Sequence, residues 1–497
     1  MRPSHSNHSG PGRRATAGIA SPNHVRRVAC SPESRRRRAG GLAQQLPLWA
    51  LSAWLATNVH ALELDKVVHF SDSTRFSPPA LGVDGKVYVG IQDFGIGMYD
   101  PQTGVKKQEA LGGSVVSGPT IGHDGRVYVG INAGGRANFF ALNPQTLARE
   151  WAVALQGSIA TSAAVGWDAA VFLGTATGEF YRLQAHDGRV VWRTTVGGVT
   201  CSPVVGKSGA VYVGHGESLV ALDVRDGRIQ WRHATGKGKI TTTPALGADG
   251  TLYGGDNQGV VRALTPGGAL RWSRDLGRAV ISGLSVGGDG SVFVGVAGPF
   301  VHALGPDGSL RWSQRTEGEV RNAPVVSNNG ELHLVEGRYA VTRGTADGRL
   351  LIRRDRRGVL DDRGIKVTVN DWGQVGDGLL THQGIFWFSN GNYLWSYRVD
   401  GRLCQEASYP MGQGDLGRSG RMRSAQARVF LAPTALPGAF ECSLLGVAGK
   451  TYHILQSANL RSWTSLGRFT THNGIVPLQV PRLTTPSQRF YKAIELP

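Results

Sequence analysis

Short apolar runs, each opened by a polar turn and closed by glycine, recur along most of this chain. DGKVYVG (84–90), DGRVYVG (124–130), SGAVYVG (208–214), DGTLYGG (249–255) and DGSVFVG (289–295) are copies of one pattern. DAAVFLG (168–174) and NGELHLV (329–335) are weaker copies. The closing glycines Gly90, Gly130, Gly174, Gly214, Gly255 and Gly295 step by 40, 44, 40, 41 and 40 residues. A second marker keeps the same register. It reads ALNPQTLAREW (141–151), LQAHDGRVVW (183–192), ALDVRDGRIQW (221–231), ALTPGGALRW (263–272) and ALGPDGSLRW (303–312), and its tryptophans step by 41, 39, 41 and 40. Between the markers, β-branched and aromatic residues suit packed strands. The Asp-Gly pairs suit tight turns with positive φ. Each unit therefore predicts four short strands, as in ITTTPALG (240–247), TLYGG (251–255), GVVRAL (259–264) and LRWSRD (270–275). A four-stranded unit of about forty residues, repeated, is the pattern of a β-propeller blade.

Eight turn-plus-strand cores can be counted, the last being GIFWFSNGNYLWSYRVDGRL (384–403). The expectation is an all-β fold, an eight-bladed β-propeller over 62–411, with seven blades and an irregular hairpin as the alternative. The eighth core comes 54 residues after the seventh, so an insertion lies at about 353–378. Either DKVVHF (65–70) or LCQEASY (403–409) supplies the outer strand that closes the ring, and the other is spare.

Composition narrows the class. Glycine accounts for 71 of the 497 residues, but there is no Gly-X-Y period, and aromatics and aliphatics are plentiful. Collagen and general disorder are excluded. The four cysteines, Cys30, Cys201, Cys404 and Cys442, have neither the spacing of a zinc site nor that of a redox pair. Residues 1–61 hold nine arginines and one acid, Glu33, so eight of the eighteen net positive charges sit there. Arg35 to Arg38 precede the apolar run LPLWALSAWLA (46–56), and Val59 and Ala61 follow. This is the order of a secretory signal, cleaved after Ala61, with an unusually long basic leader that initiation near Val25 would shorten. The apolar run is too short for a membrane span. The mature chain is expected in the periplasm or outside the cell.

Taken together, V-Y-V-G and A-L-D-x-x-D-G-x-x-x-W, as in ALDVRDGRIQW, resemble the pyrroloquinoline quinone repeat. That resemblance covers about 65–405. It implies that Trp151, Trp192, Trp231, Trp272 and Trp312 dock one blade against the next. The family includes quinone-dependent alcohol and glucose dehydrogenases and cofactor-free binding propellers such as the outer-membrane assembly factor. The dehydrogenases carry adjacent cysteines and long loops with a calcium site, whereas this chain has no adjacent cysteines and nearly minimal repeats. Only the insertion holds a group of acids, Asp361, Asp362, Asp371 and Asp377, and these are expected to offset Arg353, Arg354, Arg356 and Arg357 in a solvated loop.

Other motifs carry little chemistry. Gly206-Lys207-Ser208 and Gly449-Lys450-Thr451 lack the glycine five positions earlier that a phosphate loop needs. Gly283-Leu284-Ser285-Val286-Gly287 has no helix after it, so it is not a nucleophile elbow. Gly412 to Gly417 is flexible linker, and His186 and His215 are turn or edge residues. No nucleic-acid surface is expected, because no dense basic run carries interleaved aromatics beyond 353–357.

After a linker at 412–427 the forty-residue register stops. FECSLLG, TYHILQS, IVPLQV and RFYKAIEL predict four or five strands of a small sandwich over 428–497. Tyr452, Ile454, Ser457, Asn459, Leu460, Trp463, Arg489, Phe490 and Tyr491 resemble the signature of a C-terminal module common on secreted proteins of Verrucomicrobia-type bacteria. Tyr452 and Trp463 are expected in its core. The functional expectation is a secreted, monomeric, non-catalytic propeller that binds a protein or glycan in the cell envelope. No catalytic, cofactor or metal residues are expected. The alternative is a pyrroloquinoline-quinone-dependent oxidoreductase.

Overall fold

The computed structural model describes residues 61–70, 75–166, 168–367, 369 and 375–401, and six short stretches between 428 and 496. The first set holds eight four-stranded antiparallel sheets. Blades 1 to 7 follow the chain, spanning Ala80–Ala110, Thr120–Leu155, Ala164–Thr195, Val204–Ala234, Ala245–Asp275, Ser285–Arg315 and Val325–Asp355. Blade 8 takes three strands from Leu379–Val399 and its fourth from Leu62–His69. The N-terminal segment is thus the ring-closing strand, while 402–409 lies outside the described residues. One apolar cluster joins Leu81, Val87 and Val89 of blade 1, Val325 and Val335 of blade 7, and the aromatics of blade 8. Blade 8 therefore packs on both ends of the series.

The repeat pattern has a packing cause at each position. The two-residue strands are buried and lie innermost, side by side from blade to blade. Each VYVG glycine lies where the segment entering the next blade crosses it. A Cβ at Gly214 would lie 2.5 Å from Ile240 and one at Gly255 2.7 Å from Val280. The tryptophans stand on the outermost strands and reach across the interface. Trp151, Trp192, Trp231, Trp272 and Trp312 donate Nε1–H to the carbonyls of Ala185, Val224, Pro266, Pro306 and Thr345, at 2.8–3.1 Å. Against each indole lies a turn glycine of the next blade: Gly188, Gly227, Gly268, Gly308 or Gly348, with φ between +68° and +87°. A Cβ on any of them would meet the ring at 2.6 Å. The D-G of one repeat and the W of the repeat before it are thus two halves of one contact. Trp312 is buried, but the other four are only half-buried, because the outermost strand leaves one edge of the indole at the rim.

In seven blades the outermost strand skips one residue. Ala221 faces Trp231 and Leu222 faces Ile229, for example, which leaves Gln230 as the bulge. Such bulges discourage strand addition at an exposed edge. The closing strand repeats the device, with Leu64 facing Tyr397 and Lys66 facing Ser396. Lys66 therefore occupies the tryptophan position of blade 8. Its Nζ donates to the Pro101 carbonyl (3.3 Å) and lies 5.6 Å from the Tyr99 ring centroid.

The C-terminal stretches form two three-stranded sheets. One contains Arg428–Pro433, Phe440–Leu445 and Ile475–Leu478; the other contains Thr451–Ser457, Thr464–Thr470 and Phe490–Glu495. The count is six strands rather than the four or five expected. Leu444, Tyr452, Ile454 and Leu478 form the core. Trp463 does not join it fully: the ring is half-buried, with Lys492 Nζ 5.1 Å from its centroid.

Candidate functional site

The repeat side chains serve turns and blade docking, which leaves the residues where the repeat is broken for chemistry. Between Asp355 and the innermost strand of blade 8, residues 356–367 fold back as a hairpin. Val367 N–H donates to the Val359 carbonyl (2.8 Å), and Leu360 bridges Lys366. At its root Arg356 is fully buried. The guanidinium donates to the carbonyls of Gly337 (2.6 Å) and Arg338 (3.0 Å) and lies 5.5 and 5.4 Å from the ring centroids of Phe388 and Trp395. Arg356 thus wedges blade 7 against blade 8, where Ile352 stands in place of the repeat tryptophan.

Asp361 organises the hairpin turn. Its Oδ1 accepts the backbone N–H of Arg363 and of Ile365, each at 2.9 Å, and its Oδ2 accepts the Arg363 guanidinium at 2.7 Å. Burial pushes the Asp361 carboxyl up, but Arg363 and the two backbone donors outweigh it and hold the group below the usual carboxylate range. Asp362 faces the ring closure. Its N–H donates to Val67 (2.9 Å), its Oδ1 accepts from the His69 N–H (3.1 Å), and its Oδ2 meets Lys106 Nζ at 2.7 Å. Lys106 also donates to the His69 carbonyl (2.9 Å). One aspartate therefore ties the insertion to the closing strand and to the outermost strand of blade 1.

This arrangement corrects the expected charge pattern. Asp361 pairs with Arg363 and Asp362 with Lys106 rather than with the arginines of 353–357. Arg353 pairs with Glu317 and Arg357 with Asp355, while Arg354 donates to the Leu62 carbonyl (2.9 Å). The hairpin at 356–367 is exposed along most of its length, as a solvated loop would be, and also clasps the ring closure through Asp362. Asp377 lies apart from it, on the segment entering blade 8, where its Oδ1 accepts the Ala323 N–H at 2.7 Å. Asp371 lies outside the described residues. Among the described residues no group of three or more His, Cys, Asp or Glu is placed to hold a metal ion. The signal missed in the sequence was the hairpin itself, since Val359, Leu360, Ile365 and Val367 flank Asp361 to Gly364 as strand flanks a turn.

The remaining motifs have structural places. Ser285 Oγ donates to the Pro324 carbonyl (2.5 Å) between innermost strands. Lys207 and Ser208 lie in a turn of blade 4, and Lys450 pairs with Glu495 at 3.0 Å. His186 pairs with Asp187 at a turn, and His215 Nδ1 lies 3.4 Å from the Gly198 carbonyl. Cys201 is buried; its Sγ accepts the Gly214 N–H (3.1 Å), and burial pushes the thiol up to about 12. Gly412 to Gly417, Cys30 and Cys404 lie outside the described residues.

The chain therefore contains a β-propeller in which a tryptophan–glycine contact locks each of blades 2 to 6 to the blade that follows. Residues 136–259 and 257–364 match the family model described as outer membrane protein assembly factor BamB. Among solved structures, BamB from Moraxella catarrhalis is 16% identical, covering 68% of this chain and 99% of that one, with a TM-score of 0.54. The quinohemoprotein alcohol dehydrogenase ADHIIG from Pseudomonas putida HK5 is 13% identical, covering 69% and 77%, with a TM-score of 0.55. The computationally designed Ika8 protein is 14% identical, covering 68% and 99%, with a TM-score of 0.55. No match was found among curated proteins. At these identities the likeness concerns the fold: the protein is a pyrroloquinoline-quinone-repeat-like β-propeller.

Proposed function

We propose that this protein is an exported, non-catalytic binding propeller. Its eight sheets form one closed ring, its mature chain begins at Leu62 in the periplasm or outside the cell, and it acts as a monomer on a protein or glycan partner. The observation that carries the reading is the use of the acids in the insertion. Asp361 holds a turn and Asp362 holds the ring closure, so the residues best suited to a cofactor site are engaged in keeping the scaffold shut. The match to an outer-membrane assembly-factor model supports a protein partner in the envelope. Residues 1–60 of the segment that would direct export lie outside the described residues. Sequencing the exported protein tests it, with Leu62 as the expected first residue.

A second reading, a quinone-dependent oxidoreductase, is favoured by the likeness to the alcohol dehydrogenase. Quinone chemistry needs a protein that orients a large planar cofactor and polarises its carbonyl. Titrating the purified full chain with pyrroloquinoline quinone and calcium, read by calorimetry, separates the two. No binding, and no dye-linked oxidation of alcohols or sugars, is the expected result. Stoichiometric quinone uptake that is lost in D361N or D377N would establish the enzyme instead.

A further inference from the structure

Beyond residue 61 most of the net positive charge lies outside the propeller. Residues 62–401 hold 34 Lys and Arg against 31 Asp and Glu, whereas residues 428–497 hold seven against two, Glu441 and Glu495. Glu441 belongs to the first C-terminal sheet. Glu495 lies in the second, where it pairs with Lys450 (3.0 Å) and accepts the Tyr452 Oη–H (3.3 Å) on the side that Tyr452 and Ile454 turn to the core. The opposite side of that second sheet carries two cross-strand rows. Arg468, His453 and Ile494 stand side by side in one, and Ser465, Leu455 and Lys492 in the next. Alternation along Thr451–Ser457 puts both rows on the face away from Tyr452 and Ile454. Arg468, Ser465, Lys492 and Ile494 are exposed. His453 Nε2 and Ser465 Oγ share a hydrogen bond (2.8 Å), and Lys492 Nζ stands 5.1 Å from the ring centroid of the half-buried Trp463. No carboxylate of the described residues pairs with Arg468 or Lys492.

We propose that this open sheet face binds an acidic polysaccharide, a chain of sugars that carry carboxylates. The proposal rests on the binding-protein reading and assigns the glycan to the C-terminal module rather than to the ring. Charge selects the occupant: a guanidinium and an ammonium stand there with no acid beside them, and arginine grips a carboxylate through paired hydrogen bonds. The two cations lie on the outer strands, one row apart, so their Cα atoms are about 12 Å from each other at ordinary strand spacings. A single small anion does not span that distance, whereas a chain with repeated carboxylates does. Among the described residues Ile494, 41% exposed, is the only exposed large aliphatic of the module. That is too little for insertion into a bilayer, which takes a whole apolar face, or for the buried anchors of a protein interface. His453 and Ser465 suit sugar hydroxyls, and an indole has an apolar body for the flat face of a sugar ring.

The test uses the full chain with polygalacturonate as the probe, read by affinity electrophoresis and calorimetry, and melting curves confirm that each variant is folded. The expected result is binding that weakens as ionic strength rises, because exposed charges are screened, and that is absent with the same polymer once its carboxyls are methyl-esterified. R468E/K492E should bind several-fold more weakly with the melting temperature unchanged, and R468K/K492R, which keeps the charges, should retain most of the affinity. K237E/K239E, which reverses two exposed lysines of the propeller, should bind like the parent. Equal binding by R468E/K492E and the parent would overturn the sheet face; a loss in K237E/K239E would then place the glycan on the propeller and leave the binding-propeller reading intact. Polyglutamate bound as tightly as polygalacturonate would overturn the glycan in favour of an acidic protein. Tighter binding to phosphatidylglycerol vesicles would overturn it in favour of a lipid surface. No binding to any of these probes would overturn the proposal while leaving the propeller free to act on a protein partner.

Discussion

The contact between Trp231 and Gly268 can be dissected by one substitution and an internal control. In G268A the new Cβ would lie 2.6 Å from the indole Cδ2 and 2.7 Å from Cγ, at a residue whose φ is +87°. Two costs add. Holding an L-residue in the left-handed region costs about 1–2 kcal/mol. Forcing a methyl into a packed contact costs about 1–3 kcal/mol more. Gly104 stands at the same turn position in blade 1, with φ +74°, but nothing lies within 4 Å of its added Cβ. Lys66 rather than tryptophan faces that turn. G104A should therefore show only the backbone cost, about 1–2 kcal/mol. W231A alone should cost about 3 kcal/mol, the low end for a large aromatic, because the ring is only half-buried. In the W231A background the clash is gone, so G268A should fall to the cost of G104A. The coupling in the double-mutant cycle should be about 1–3 kcal/mol. Urea unfolding followed by far-ultraviolet circular dichroism reads all four proteins without relying on tryptophan fluorescence. Equal costs for G104A and G268A, or additivity within about 0.5 kcal/mol, would refute the two-halves account of the motif.

Four further outcomes follow from the same geometry. K66W should place an indole over Gly104, stabilise the closing strand by about 1 kcal/mol, and make G104A as costly as G268A; an unchanged G104A cost would contradict the register. Ala169 has φ +59° where blades 1 and 2 have Gly85 and Gly125, so A169G should raise stability by about 0.5–1 kcal/mol in thermal or urea melts. R356A should cost about 3–5 kcal/mol through the cavity and the two carbonyls left without their donor, while R356M should recover most of it; equal losses would show that packing between blades 7 and 8 does not depend on the stem. Burial holds His333 down at about 3, beside Thr342 Oγ1 (3.0 Å) and with Glu331 Oε2 at 3.8 Å. The unfolded chain, with an ordinary imidazole, then binds the extra proton between about pH 3 and 6.5, so stability rises with pH across that window. Acidification should remove roughly 4 kcal/mol by pH 3, measured as urea midpoints against pH, and a flat profile matching that of H333Q would refute the assignment.

Much of this architecture was legible because the repeat exposes its own physics. Glycine at Gly214, Gly227 and Gly268, and tryptophan at Trp192 and Trp231, answer to contacts that recur in every regular unit, so the register showed where blades begin and end. The closing strand was only half legible. Leu64-Asp65-Lys66 performs the bulge of Ile229-Gln230-Trp231, but with lysine in the aromatic position it does not look like a copy. The insertion was visible as an interruption, yet its charge pairs were not. Asp362 meets Lys106 and His69, which lie more than 250 residues away in sequence, and no local pattern encodes a contact at that separation. Arg356 was hidden for another reason: its partners on two blades are near in sequence, but the contact is made once and no repeat advertises it.

The departures from the repeat are not scattered. Five consecutive interfaces, from blades 2 and 3 to blades 6 and 7, carry the tryptophan–glycine contact. The three interfaces that lack it are also consecutive. Between blades 7 and 8, Ile352 replaces the tryptophan and Arg356 supplies the wedge. Between blades 8 and 1, Lys66 reaches the Pro101 carbonyl. Between blades 1 and 2, where the outermost strand has no bulge, Lys107 faces Met98 in the tryptophan position and donates to the Gln145 carbonyl (3.1 Å), Tyr88 Oη takes over the bond to the Pro144 carbonyl (2.8 Å), and Leu147 fills the space at φ +63° where the other turns have glycine. Leu147 and Lys107 are thus a reciprocal exchange: the larger turn residue is tolerated because the indole is missing. The receiving carbonyls of Pro101 and Pro144 keep a donor although the aromatic is gone. What must be preserved at these interfaces is therefore the satisfied carbonyl, and the tryptophan is one way to satisfy it. A ring built this way has a regular arc, in which each blade is positioned by its sequence neighbour. It also has an irregular arc, in which residues from both ends of the propeller must meet. The irregular arc is where side chains are free to differ from the repeat, and the hairpin at 356–367 emerges from it. The closure of this propeller is accordingly where the repeat constrains the sequence least.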